Sequence, residues 1–186
     1  MVSFTIISST NHTWKKVNSE DNIIVYNCEV EGSKFKKSKV ETTINFSNLK
    51  NAEIVLKDVS KYKNWQPNCS SSTLIKAEGN KIYTYLTFDA PWPVSDRDLI
   101  LESTFIKSEN KLMMKTTCKP NYIKKDDDFV RITCSEGLWE IEKKMKAPYL
   151  LEIQIIPVLA ATYLLGLALV QLKTCLLKLF KGLKRL

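Results

Sequence analysis

Over most of this chain, apolar positions recur with period two, and after Pro157 they recur with a helical period. NIIVYNCEV (Asn22 to Val30) and KVETTINF (Lys39 to Phe46) alternate and are rich in β-branched residues. They predict two strands joined across the glycine- and lysine-bearing EGSKFKKS. The next stretch, SNLKNAEIVLKDVSKYKNW, changes period. Ser47 or Asn48 can cap a helix whose buried side is Leu49, Ala52, Ile54, Leu56 and Val59, ending near Tyr62 to Trp65 because Pro67 prevents continuation.

Six further strands are predicted in STLIKAE, KIYTYLTF, DLILESTF, KLMMKTTC, DFVRITCS and GLWEIEKK. The turn signals Glu78-Gly79-Asn80 and Glu109-Asn110 leave connections too short for parallel crossovers, which need about a dozen residues, so the pairing is antiparallel. In KIYTYLTF, Ile82, Thr84, Leu86 and Phe88 share one face, and Tyr83, Tyr85 and Thr87 share the other. Both faces therefore need covering.

Pro157 suits a first helical turn, and VLAATYLLGLALVQLKTCLLKLFKGLKRL follows without another proline. A helix from 157 to 180 would extend about 36 Å. The apolar window IIPVLAATYLLGLALVQL is at the lower limit for a membrane span, yet a lysine-bearing face follows at once. A long apolar element is also what an antiparallel sheet needs as a cover, and that is the expectation here.

The length suits one domain, residues 1–186, with a substantial core. The formal charge of +8 is partly local: beyond Glu152 there is no acid, while Lys173, Lys178, Lys181, Lys184 and Arg185 stand among leucines. That pattern points to an anionic membrane surface rather than to nucleic acid. The five cysteines (28, 69, 118, 134 and 175) include no CxxC, and His12 is the sole histidine. No metal site or other cofactor is expected, and reduced thiols indicate a cytoplasmic setting. No signal-peptide pattern opens the chain.

DAPWPVSDRD (Asp89 to Asp98) is the one compact chemical knot. Pro91 and Pro93 each fix a backbone angle and remove a donor, Trp92 is a large apolar group between them, and Arg97 lies between Asp96 and Asp98. A rigid corner braced by Arg97 is the expected structure. Catalysis would need facing carboxylates, an activated thiol or a Ser-His-Asp set, and none is visible.

Taken together, Asp58, Tyr62 and Trp65, followed by Pro91, Trp92, Pro93, Ser95, Asp96, Arg97 and Asp98, resemble the START domain family of helix-grip lipid-transfer domains. The resemblance runs through IYTYLTFDAPWPVSDRDLILES and GLWEIEKK to IQIIPVLAATYLLGLALVQLKTCLLKL, covering roughly residues 14 to 183. It implies an α+β helix-grip fold, in which a curved antiparallel sheet of about seven to nine strands wraps around a long C-terminal α-helix. It further implies a cavity for a lipid or another apolar small molecule. The proline-tryptophan and Arg-Asp segment transfers as a structural signature, and the last helix as roof or gate. Some relatives hold a charged pair inside the cavity; the inward positions expected here, Leu99, Leu101, Ser103 and Phe105, carry no charge. Candidate lining residues are Leu101, Ser103, Phe105, Met114, Ile132, Leu159, Tyr163, Leu167 and Val170. A monomeric lipid binder is expected. A cyclase, aromatase or hydrolase on the same fold, or a non-catalytic interaction domain, is the alternative.

Overall fold

KIYTYLTF and KLMMKTTC become strands over the same residues that the alternation marks, β5 (Lys81–Phe88) and β7 (Lys111–Cys118). The computed structural model describes residues 13–20, 22–31, 36–44, 48–133, 135–143 and 149–156. Among these, the remaining strands are β1 (Lys15–Glu20), β2 (Ile23–Cys28), β3 (Lys37–Ile44), β4 (Cys69–Glu78), β6 (Arg97–Lys107), β8 (Val130–Arg131), β9 (Glu136–Lys143) and β10 (Tyr149–Ile156). Nine of them form one antiparallel sheet in the order β1-β2-β3-β10-β9-β7-β6-β5-β4, and the two-residue β8 pairs parallel to the start of β6.

Four elements differ from the pattern-based expectation. The helix expected to end near Tyr62 to Trp65 stops at Lys57, and only a 3-10 turn and a separate four-residue helix follow. DFVRITCS contributes only the two residues of β8, because its backbone leaves the sheet after Arg131. IQII, expected to lead into the terminal helix, lies in β10, which fills the gap between β3 and β9. β1 went unread because KKVNSE is exposed along its whole length and shows no apolar alternation. The C-terminal helix, with Leu159, Tyr163, Leu167 and Val170, lies outside the described residues.

The link from β3 to β4 carries the chain from mid-sheet to the far edge through α1 (Leu49–Lys57), a 3-10 turn (Val59–Lys61) and α2 (Tyr62–Trp65). Asn48 caps α1, its side chain accepting the Asn51 N–H at 3.0 Å. Leu49, Ala52 and Leu56 bury one side of α1. Ile54 does not join them and is 46% exposed. Five residues at about 100° each turn it about 140° away from Leu49. Trp65 anchors α2, packing edge-on against Tyr62 at 4.8 Å and against Trp139 of β9 at 5.7 Å. The Tyr62 hydroxyl donates to the Leu56 carbonyl and so ties α2 back to α1.

A single core results. It joins the helix side chains to Ile23, Val25, Val40, Ile82, Leu86, Leu99, Phe105, Leu112, Met114, Trp139 and Ile141. All of these strand residues share the helix-bearing, inner face, as their pairing shows: Leu86 lies opposite Leu99, Phe105 opposite Met114, and Met114 opposite Trp139. Leu86 has no solvent exposure, whereas Leu74 on the edge strand is 48% exposed. Leu86→Ala is expected to cost about 2–5 kcal/mol, and Leu74→Ala less than about 1 kcal/mol, in urea unfolding.

Candidate functional site

The inner side of β6 and β7, together with Ile132 just after β8, holds the described residues that the sequence nominates for ligand contact. Phe105, Met114 and Ile132 belong to the buried core, and Leu101 packs against it half-buried. Ser103 is 3% exposed and stands between Leu101 and Phe105, opposite Ile82 on one side and Thr116 on the other. Backbone alternation thus brings together residues that lie apart in sequence.

Sequence reasoning missed three polar groups in this region. Trp65 Nε1, Ser72 Oγ and Thr84 Oγ1 are buried without a hydrogen-bond partner. Thr84 is fully enclosed, set between Ile82 and Leu86 on its own strand and opposite both Leu74 and Leu101. The signal was present in the alternation of KIYTYLTF, where a threonine takes an inward place in an otherwise apolar row. Between Leu99 and Phe105 the inward positions of β6 carry no charge; Asp98, which has no solvent exposure, belongs to the outer face.

On that outer face, Asp98 receives Arg131 Nε on Oδ1 and Nη2 on Oδ2, both at 2.8 Å, with side-chain exposures of 0% and 6%. Tyr85 donates to the same Oδ2 at 3.1 Å. The remaining Arg131 donors reach the carbonyls of Pro120, Ile123 and Lys124, so one guanidinium fastens the whole 119–131 loop to β6. Its pKa is raised, first by the hydrogen bond to Asp98.

This corrects the role expected of Arg97. Its Nη1 donates to the Ser95 carbonyl at 2.5 Å in an exposed position, and Arg131 takes the carboxylate instead. The physical reason is strand alternation: neighbours on β6 point to opposite faces, so Arg97 cannot share a buried pair with Asp98. The corner itself is held by the Ala90 N–H on Asp96 Oδ1 at 2.9 Å and by Val94 N–H on the Pro91 carbonyl at 3.0 Å. The Trp92–Pro93 peptide is cis, and Trp92 is 92% exposed at the tip of this turn.

Farther along the sheet, a surface depression of 260 Å³ is lined by Lys37, Lys115, Thr116, Thr117, Glu136, Gly137 and Leu138. It lies outside the buried core. Lys173, Lys178, Lys181, Lys184 and Arg185, the basic residues assigned to membrane contact, lie outside the described residues. Among the described residues, no helix is long and apolar enough to cross a membrane.

Comparison with solved structures matches this arrangement of sheet and helices. A STAR-related lipid transfer protein from Xanthomonas axonopodis superposes with a TM-score of 0.81 at 24% identity, covering 91% of this chain and 98% of that one. The fold is the START helix-grip fold. Human StAR-related lipid transfer protein 5 shares it, with a TM-score of 0.73 at 12% identity, over 92% of this chain and 86% of the other. The di-domain ARO/CYC protein StfQ of the steffimycin biosynthetic pathway is more distant, with a TM-score of 0.51 at 11% identity, over 91% of this chain and 77% of that one. An uncharacterized protein of Pseudomonas aeruginosa is 30% identical over 132 residues, which span 70% of this chain and 65% of the relative. No protein-family model matches the sequence.

Two outcomes follow from the START-fold outer face. Asp98→Ala or Arg131→Ala, each leaving a buried charge unanswered, is expected to lower stability by about 3–5 kcal/mol in denaturant unfolding, and Arg97→Ala by less than about 1 kcal/mol. Burial, with the hydrogen bond to Asp98 second, pushes the Tyr85 phenol up to about 12. The folded protein holds this proton more tightly than the unfolded chain, where a phenol titrates near about 10. The associated stabilisation is complete below about pH 10 and is lost as the pH rises through about 12. Tyr85→Phe should flatten that part of a stability–pH curve.

Proposed function

We propose that this protein binds a lipid or a comparably apolar small molecule against the inner face of its sheet and carries it between membranes. The observation that bears the most weight is the character of that face. It is continuous, apolar and free of buried charge from Ile82 to Ile141, with isolated hydroxyls set into it. An acyl or ring surface removed from water there gains about 25 cal/mol per Å². The Xanthomonas and human proteins on the same fold are named as lipid transfer proteins, which supports the same reading.

The reading is of a carrier rather than a catalyst. Burial, with the nearby Asp89 carboxylate second, pushes the Cys69 thiol up to about 11, far from a thiolate at neutral pH. The buried Cys28 and Cys69 and the half-buried Cys118 each donate to a backbone carbonyl, as structural thiols do. Asp98 is turned to the opposite face and held by Arg131. The basic C-terminal residues Lys173 to Arg185 supply the charge for transient docking on anionic lipid, in keeping with a monomer working from the cytoplasmic side.

Native mass spectrometry of gently purified protein is expected to show a co-purifying hydrophobic molecule, or loading from a lipid panel at one molecule per chain. Leu101→Trp, which places a bulky ring on the inner face, should reduce loading about tenfold with the far-ultraviolet circular dichroism unchanged. Turnover of an aromatic polyketide without retention of any lipid would replace the carrier by a cyclase. Co-sedimentation should be stronger with anionic than with neutral liposomes; equal, negligible binding would remove the docking step.

A further inference from the structure

Hydroxyl-bearing residues of the inner face are arranged in a line, and two of them, Ser72 and Thr84, have no hydrogen-bond partner. Ser72 on β4 lies opposite Leu86, and Thr84 on β5 lies opposite Leu74, which makes Ser72 and Thr84 diagonal neighbours. Thr84 pairs with Leu101 and Ile82 with Ser103, so Ser103 is the next diagonal neighbour on β6. Ser103 then faces Thr116 on β7 directly. Four hydroxyl-bearing residues thus cross four strands among leucine, isoleucine and phenylalanine, in a region that contains no buried charged side chain. At the β4–β5 end of the line, Ser72 Oγ and Thr84 Oγ1 have no partner; the indole N–H of Trp65, whose ring packs on Trp139 of β9, is likewise unanswered.

A buried hydroxyl without a partner is a standing cost to the fold, because water bonds are lost and nothing replaces them. Valine would fill the Thr84 position with the same shape and without that cost. The hydroxyl makes sense there if something that enters the site completes it. Each hydroxyl can donate and accept, and the indole can only donate. The ammonium groups recorded on this side, Lys57 over the Phe105 ring and Lys107, are both already paired with Glu53, so a carboxylate or phosphate at the Ser72–Thr84 end would be stranded in an apolar surrounding. We infer that the Ser72–Thr84 end of this line receives the oxygen of an uncharged, hydroxyl-bearing amphiphile whose hydrocarbon part lies along Leu101 and Phe105. The inference rests on the lipid-binding reading above and narrows it to a ligand class.

The full-length protein is loaded in parallel with hexadecanol, hexadecane and palmitate, equal in chain length and different only in the head, and occupancy is read by native mass spectrometry. Hexadecanol is expected to exceed each of the others by about fivefold, the worth of a hydrogen bond made rather than missed. Thr84→Val should erase that preference while raising the melting temperature of the ligand-free protein by about 2–4 °C. Thr84→Ser, which keeps the hydroxyl, should retain the preference. Loading of all three compounds alike, or preferential loading of palmitate, would overturn the inference and leave lipid binding standing. A fall in stability of ligand-free Thr84→Val would overturn it too, since the hydroxyl would then be bonded inside the protein. If none of the three loads, the carrier reading itself falls, and the head-group inference with it.

Discussion

Asp98 has no contact with solvent, and its charge has to be answered inside the protein. The answer is a two-point grip from Arg131, thirty-three residues away, reinforced by the Tyr85 hydroxyl. Around this pair the outer side of β6 becomes a locked surface. Arg131 spends its other donors on the 120–124 carbonyls, and the backbone follows, with Val130 N–H on the Asp96 carbonyl and Ile132 N–H on the Asp98 carbonyl. Removing either member would leave a naked charge under the loop.

That lock is what frees the inner face. β6 is long and central, and neighbours along it point to opposite sides of the sheet. With its polar obligations met on the outer side by Asp98, and by Glu102 with Tyr83 and Lys81, the inner side can consist of Leu99, Leu101, Ser103 and Phe105. The hydrogen bond from Tyr83 holds the Glu102 carboxyl below its usual range, so this second polar group also stays on the outer side. A single strand thereby separates the charged and the apolar chemistry of the protein.

The proposed function uses this separation. An apolar ligand requires a surface without charge, and selectivity within that surface requires a few polar atoms that are not already occupied. Ser72, Thr84 and Trp65 have that character, whereas the hydroxyls of Ser70, Ser71 and Thr87 bond one another and are spent. The exposed depression lined by Lys37, Lys115 and Glu136 has neither the burial nor the apolar walls for the same task.

Much of the architecture was legible because period-two alternation and turn residues act locally. β5 and β7 were readable to the residue, and so was the Asn48 cap of α1, although that helix ends at Lys57 and not near Tyr62 to Trp65. The inner-face candidates Leu101, Phe105, Met114 and Ile132 were legible for the same reason, since burial follows alternation once the face is known. Tertiary structure alone decided the rest. β10 is a strand because β3 and β9 leave a gap between them, a long-range condition that its own near-continuous apolar run does not express. Arg131 rather than Arg97 holds Asp98, because an ion pair depends on which faces meet and not on adjacency in sequence. The diagonal of hydroxyls arises only when β4, β5, β6 and β7 pair in register, since its members come from separate segments and become neighbours solely across the sheet.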